Sequence, residues 1–191
     1  LFRRRPDSAM RIGIFGGTFN PIHTGHLRVA EEVREALGLE RILFVPSSLP
    51  PHKELDFGVS GKRRLGLVER AVAGNPAFDV LTFEVEQPGP SYTVRTLEHV
   101  RANYKTVPYF ILGQDAFNEF ASWYDVEGLL ESAHFVVMSR PGARRPDLDE
   151  ILGTRARAFS PTKRGFRSQR GHSGAGRVHL VEAVGEVGDD F

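Results

Sequence analysis

The stretch Arg11-Ile12-Gly13-Ile14-Phe15-Gly16-Gly17-Thr18-Phe19-Asn20-Pro21-Ile22-His23-Thr24-Gly25-His26 decides the fold. Arg11–Phe15 is apolar after its first residue and is ended by Gly-Gly, the pattern of a buried strand. Directly downstream, Leu27, Ala30, Val33 and Leu37 share one helical face and Gly38 reads as the stop. Strand, glycine turn and amphipathic helix make the first half of a strand–helix–strand unit. The alternation continues: Arg41–Val45, Val80–Val85, Val107–Leu112 and Phe135–Met138 read as strands. Leu65, Val68 and Val72, then Val94, Leu97 and Val100, read as helix faces. Strands alternating with helices predict a parallel sheet with right-handed crossovers. The expected fold class is therefore α/β, a doubly wound parallel sheet in a single domain.

The chain has 191 residues, 40% hydrophobic and 26% charged, with no Cys. A chain of this size buries about 70% of its unfolded surface. The lack of Cys excludes a disulfide framework, thiolate metal sites and a cysteine nucleophile. No apolar run approaches the ~20 residues of a membrane helix, so a soluble, cytoplasmic protein is expected. The net charge of +1 is unevenly spread. Residues 1–150 hold 18 Lys/Arg against 20 Asp/Glu, 151–177 hold seven basic residues and no acid, and 178–191 hold four acids. Residues 1–9 show no periodicity and read as an N-terminal extension before Met10. Residues 154–177, rich in Gly, Ser and Arg, are expected to form a loop or disordered stretch. Val178–Val184 reads as one further strand before an atypical end.

The turn after the first strand carries the chemistry. In an open parallel sheet, ligands bind beyond the carboxyl ends of the strands. Gly16 and Gly17 let the backbone approach a phosphate, and the helix start that follows favours an anion. His23 and His26 lie three residues apart, so both rings can face the same oxygens. The same glycines would also suit a plain tight turn, and the histidines a capping pair. Neither Gly-x-Gly-x-x-Gly nor a Walker lysine is present, which argues against a dehydrogenase or P-loop site.

Three further stretches sit at comparable places. Pro46-Ser47-Ser48-Leu49-Pro50-Pro51-His52-Lys53 follows the second strand, and Lys53 offers a mobile ammonium for a phosphate. Gly89-Pro90-Ser91-Tyr92-Thr93 opens a helix, with Ser91 a credible N-cap. Leu112-Gly113-Gln114-Asp115 ends the fourth strand and leads to Ser122-Trp123-Tyr124. The single Trp could stack on a flat heterocycle or fill the core. Asp115 could hold ribose hydroxyls or cap the next helix.

Together, Gly-Gly-Thr-Phe-Asn-Pro-Ile-His-Thr-Gly-His, Pro-Pro-His-Lys, Gly-Pro-Ser-Tyr-Thr and the Trp segment resemble bacterial nicotinate-nucleotide adenylyltransferases. These enzymes belong to the His-x-Gly-His nucleotidyltransferase superfamily, and the likeness runs from Met10 to about Gly142. It implies a Rossmann-like sheet and adenylyl transfer from ATP, with Mg²⁺, to nicotinate mononucleotide. By that resemblance Gly16, Gly17, Thr18, Phe19, His23, His26 and Arg140 would hold ATP, the two histidines acting catalytically. His52, Lys53, Thr93, Gly113, Asp115, Trp123 and Tyr124 would hold the mononucleotide, and no residue is expected to be a metal ligand. Residues 10–153 would form the nucleotidyltransferase domain. The small-molecule substrates are the expected partners, with no membrane and no nucleic acid.

One departure stands out. The family's second phosphate motif, Ile-Ser-Ser-Thr-x-Ile-Arg, has no counterpart after Val178–Val184, where Gly185-Glu186-Val187-Gly188-Asp189-Asp190-Phe191 stands. A frameshifted or early-ending sequence would explain this, as would a divergent member that binds nucleotide with impaired catalysis. A pantetheine-phosphate adenylyltransferase-like enzyme is the other enzymatic alternative. A nucleic-acid module using the basic 151–177 block is weakened by its two aromatics, Phe159 and Phe166.

Overall fold

The structure, a computed structural model, describes residues 10–48, 59–139, 146–153 and 178–182. Its strands are β1 (Ile12–Gly17), β2 (Arg41–Pro46), β3 (Phe78–Val80), β4 (Tyr109–Gly113), β5 (His134–Ser139) and β6 (Val178–Glu182). They form one sheet in the order β3-β2-β1-β4-β5-β6, and every pairing is parallel. This is the doubly wound arrangement expected from the alternating pattern. The chain reverses its direction of growth between β1 and β4, where Gly13–Phe15 pair with Tyr109–Ile111. The crevice at that switch point is where such sheets bind ligands.

Alternation along each strand builds two cores. Ile12, Ile14, Leu43, Val45, Phe110, Leu112, Phe135 and Val137 face one side. Helices α4 (Thr93–Tyr104) and α6 (Val126–Ser132) cover them, with Val94, Leu97, Val100 and Leu129 buried. Phe15, Ile42, Phe44, Ile111, Val136 and Met138 face the other side, under α1 (Thr24–Leu37) and α2 (Gly61–Val72). Gly38, at φ 60°, closes α1 in the left-handed region that glycine adopts without a Cβ penalty. Among the described residues no helix is long and apolar enough to cross a membrane.

Two sequence expectations are corrected. Val80–Val85 is not a strand: β3 stops at Val80, and Phe83–Glu86 forms the single helical turn α3. The alternation of apolar and polar residues there imitates a strand. Hydrogen bonds to Glu84 from Thr96 and Ser91 instead draw its side chain inward. On α2 the buried stripe is Arg64, Val68 and Val72, at i, i+4 and i+8, while Leu65 is only half-buried. The short α5 (Gln114–Asn118), the 3₁₀ turn Phe120–Ser122 and α7 (Leu148–Leu152) are too brief to leave a period in the sequence. Val178–Glu182 joins the sheet beside β5, as its apolar pattern predicts.

Candidate active site

Because all strands run the same way, the described parts of the quoted motifs gather at the carboxyl ends of the strands. Gly16 and Gly17 end β1, Ser47 and Ser48 follow β2, Gly113 ends β4, and Thr93 opens α4. Direct contacts join them. The Ser47 N–H donates to the Gly17 carbonyl at 2.9 Å. The Ser48 N–H donates to Ser91 Oγ at 3.0 Å. The rings of Tyr92 and Tyr124 lie 4.7 Å apart. Phe110 on β4 meets Trp123 edge to face and crowds Gly16, where an added Cβ would lie 3.1 Å from its ring. A Cβ on Gly17 would lie 3.2 Å from the ring of Phe19. The two glycines thus make room for the rings of Phe110 and Phe19.

His23 and His26 form a reciprocal cap at the start of α1. His23 is the N-cap, and its Nδ1 accepts from the Gly25 N–H at 3.1 Å. His26 Nδ1 accepts from the His23 N–H at 3.3 Å. A neutral imidazole that accepts at Nδ1 carries its proton on Nε2. Both rings therefore carry the proton on Nε2, and that of His23 is buried with no protein partner. The rings lie 3.8 Å apart, and His26, 5% exposed, rests against the edge of Phe19. Phe19 holds its backbone at φ 47°, a left-handed conformation unfavourable for an aromatic residue, and so sets its ring beside His26. The histidines thus form the capping pair that the sequence also allowed, and the Gly25 N–H at this helix start is engaged by His23 itself. The dipole remains, and no acid occupies the first turn.

Buried polar atoms without partners cluster here: His23 Nε2, Ser47 Oγ and Arg64 Nε. Unsatisfied buried groups are rare in native proteins, and a bound ligand is one explanation for them. Arg64 was not legible as a site residue. The signal was its i+4 spacing from Val68, which places a cation on the buried stripe. It is 1% exposed and donates to the carbonyls of Thr18 and Ser48. Burial pulls its guanidinium below the ordinary arginine value.

Glu84 is half-buried, with its carboxyl turned toward neighbouring hydroxyls. Thr96 Oγ1 donates to it at 2.6 Å, and Ser91 also bonds it. Ser91 is therefore not the expected N-cap: Tyr92 occupies that position, and Ser91 ties Ser48 to Glu84. Burial raises the Glu84 carboxyl above its ordinary 4.5, against the lowering effect of both hydrogen bonds. The native state then holds more protons than the unfolded chain above pH 4.5, and stability falls as pH rises through that window. Glu84→Gln should melt above the parent protein at pH 8, the gap narrowing toward pH 5, with each 1 kcal/mol worth about 2–4 °C. A gap independent of pH would remove the titration from the explanation.

The remaining expected residues are placed less uniformly. Thr93 is the first residue of α4. Asp115 lies exposed in the first turn of α5, whose N-cap is Gly113, so it does not cap that helix. Trp123 packs its indole on Phe110 and Phe120, and its backbone N–H already donates to the Phe120 carbonyl at 3.0 Å. Tyr124 is 59% exposed. His52, Lys53 and Arg140 lie outside the described residues, as does the stretch 183–191 where the second phosphate motif was sought. Among the described residues no group of three or more His, Asp or Glu stands together as a metal cage.

Comparison with known proteins agrees with this geometry. Residues 14–164 match the cytidylyltransferase-like family. A protein of Geobacter sulfurreducens named as a probable nicotinate-nucleotide adenylyltransferase is 40% identical over 168 residues, covering 86% of this chain and 78% of the relative. One of the same name from Desulfatibacillum aliphaticivorans is 47% identical over 132 residues, 69% of this chain and 61% of its own. Among solved structures, the nicotinic acid mononucleotide adenylyltransferase of Plasmodium falciparum complexed with NaAD shares the fold. Its TM-score is 0.62 at 18% identity, over 93% of this chain and 77% of that one. With the paired histidines, the doubly wound sheet and these relatives in agreement, the chain belongs to the nicotinate-nucleotide adenylyltransferase family within the cytidylyltransferase-like group.

Proposed function

We propose that this chain transfers the adenylyl group of ATP to nicotinate mononucleotide, giving deamido-NAD and pyrophosphate, in NAD biosynthesis. The observation that carries this reading is the capped histidine pair at the end of β1, both Nδ1 atoms engaged by backbone N–H groups and His23 Nε2 buried without a protein partner. A mononucleotide phosphate oxygen attacks the α-phosphorus of ATP in line, and the bond from that phosphorus to the β-phosphate oxygen breaks. Protein groups orient the two phosphates and stabilise charge rather than form a bond to substrate. His23 and His26 donate to the triphosphate as negative charge develops on the leaving pyrophosphate. Mg²⁺ enters as part of the ATP substrate, coordinated by its phosphates, as this ion commonly is.

Gly16, Gly17, Thr18, Phe19 and Arg140 complete the ATP side in this reading. Lys53, with His52 beside it, meets the mononucleotide phosphate. Asp115 and Gly113 receive the ribose. Thr93, Trp123 and Tyr124 receive the nicotinate ring and carboxylate. The engaged Trp123 backbone N–H and the packed indole favour the Tyr124 backbone and the outer ring face for that role. Residues 10–153 form the nucleotidyltransferase domain, flanked by the 1–9 extension, the basic 154–177 stretch and the 178–191 strand segment. A cytoplasmic location completes the proposal.

The test is pyrophosphate release from ATP with nicotinate mononucleotide, nicotinamide mononucleotide or phosphopantetheine as acceptor. The acid should exceed the amide by about 10–150-fold in kcat/KM, since a hydrogen bond to a charged group contributes about 1.5–3 kcal/mol. Phosphopantetheine should be inert. Equal turnover of acid and amide would overturn the carboxylate site, and turnover of phosphopantetheine alone would overturn the acceptor assignment.

A further inference from the structure

Arg64 is the one fully buried guanidinium among the described residues, and the histidine-centred mechanism leaves it without a role. It stands in the first turn of α2, one helical turn ahead of Val68 on the buried stripe. Its two terminal nitrogens reach out of the helix to different loops. Nη1 donates to the Thr18 carbonyl in the loop after β1, and Nη2 donates to the Ser48 carbonyl after β2 at 3.1 Å. The third donor, Nε, is buried with no partner. No carboxylate among the described residues pairs with Arg64, and burial alone accounts for its lowered basicity. The half-buried acid Glu84 belongs to a separate relay through Ser91 and Thr96 that meets Ser48 from its N–H side.

This arrangement is unusual on physical grounds. Carbonyl dipoles satisfy a guanidinium's hydrogens without cancelling its charge, and a buried charge without a counter-ion is strongly unfavourable. A residue serving packing alone would be better as Met or Leu, with the same stem and no desolvation cost. The fork geometry is what a lysine or an apolar residue would not reproduce, because two carbonyls from two loops are held by one rigid plane. The loops so joined are those beyond β1 and β2, on which the adenylyl donor and acceptor phosphates are proposed to meet.

We infer that Arg64 is a positioning residue for adenylyl transfer: its fork fixes the spacing of the β1 and β2 loops, and its uncompensated charge is balanced by the polyphosphate of the bound nucleotide. The inference rests on the adenylyltransferase reading for its kinetic part and on the geometry alone for its charge part. Misplacing a reacting group by about 1 Å can cost 10²-fold in rate. Arg64→Met should therefore lower kcat about 10²-fold with a smaller change in KM for nicotinate mononucleotide. Arg64→Lys, which keeps the charge and loses the fork, should recover part of that loss.

The second readout separates this from a merely structural role. In the free protein, Arg64→Met should melt at or above the parent temperature, because an unbalanced charge has been removed. The upward shift produced by saturating MgATP, or by inorganic pyrophosphate alone, should shrink by more than half. A structural arginine gives the reverse, a lower melting point without ligand and an undiminished shift with it, and that result overturns the inference. A kcat within threefold of the parent in Arg64→Met overturns the positioning half. If the Met variant does not fold, Arg64→Lys decides: full parental kcat overturns the fork's role. The parent protein run in parallel keeps the two readings apart. Failure of every acceptor would sink the adenylyltransferase reading, while the pyrophosphate shift would still report on Arg64.

Discussion

His23→Asn should leave the protein folded and lower the turnover of ATP and nicotinate mononucleotide about 10²–10³-fold, the loss typical of removing one preorganised donor to developing negative charge. The two nitrogens of His23 have separate duties. Nδ1 holds the helix start by accepting from the Gly25 N–H, and Nε2 is buried without a protein partner. Asparagine places an oxygen near the Nδ1 position and is among the best N-caps, so the cap survives. Nothing in it reaches the Nε2 position. Glutamine has the opposite geometry: His23→Gln should keep more turnover and lose about 1 kcal/mol of stability with the cap. Pyrophosphate release and thermal melting on the two variants read both effects. Parental turnover in His23→Asn would remove Nε2 from the mechanism. His26→Ala should abolish deamido-NAD formation with an unchanged circular dichroism spectrum.

The largest expected effect on stability is at Phe44. It is fully buried on β2 with ring centroids 5.6 Å from Phe15, 5.9 Å from Phe19 and 5.2 Å from Phe78. Phe44→Ala should cost about 3–5 kcal/mol, lost transfer energy plus a cavity that rigid neighbours fill poorly. Domains have only about 5–15 kcal/mol in total, so the midpoint of urea unfolding should drop steeply at unchanged slope. A cost below about 1 kcal/mol would mean that the ring cluster collapses into the space. Turnover should fall too, because Phe19, which leans on His26, rests on this ring. Phe44→Leu should retain most of both properties.

The two results would test different layers of the same loop. Phe44 supports Phe19 from the core, Phe19 supports His26, and His26 packs on His23. The positive φ at Phe19 persists because its ring is held by Phe15, Phe44 and His26 together. Strain of this kind is retained where surrounding packing over-determines it, commonly at functional sites.

How much of this was legible follows from the range of the forces involved. β1, β2, β4 and β5 were placed to within a residue or two, because a strand buried between two helix layers needs apolar residues on both faces. α1, α2 and α4 were found from their 3.6-residue stripes. The paired histidines and the Ser-Tyr-Thr and Trp segments were legible through their resemblance to a known family, since a short loop carries its chemistry in consecutive residues. The Val80–Val85 alternation misled because period alone does not say whether a neighbouring strand is there to pair with.

The sequence by itself determined the parallel α/β architecture, the end of the strands where its motifs gather and the histidine pair. These depend on local periodicity and on the handedness of crossovers. Tertiary structure alone decided which nitrogen of each histidine is left to donate, because the Nδ1 atoms are claimed by backbone N–H groups only when the loop closes onto the helix. It also decided that Ser91 bridges Ser48 to Glu84 instead of capping a helix, and that Arg64 lies inside. A charged residue's burial is set by the carbonyls that distant segments bring to it. Thr18, Ser48 and Arg64 are far apart in the chain and meet only once β1 and β2 are paired.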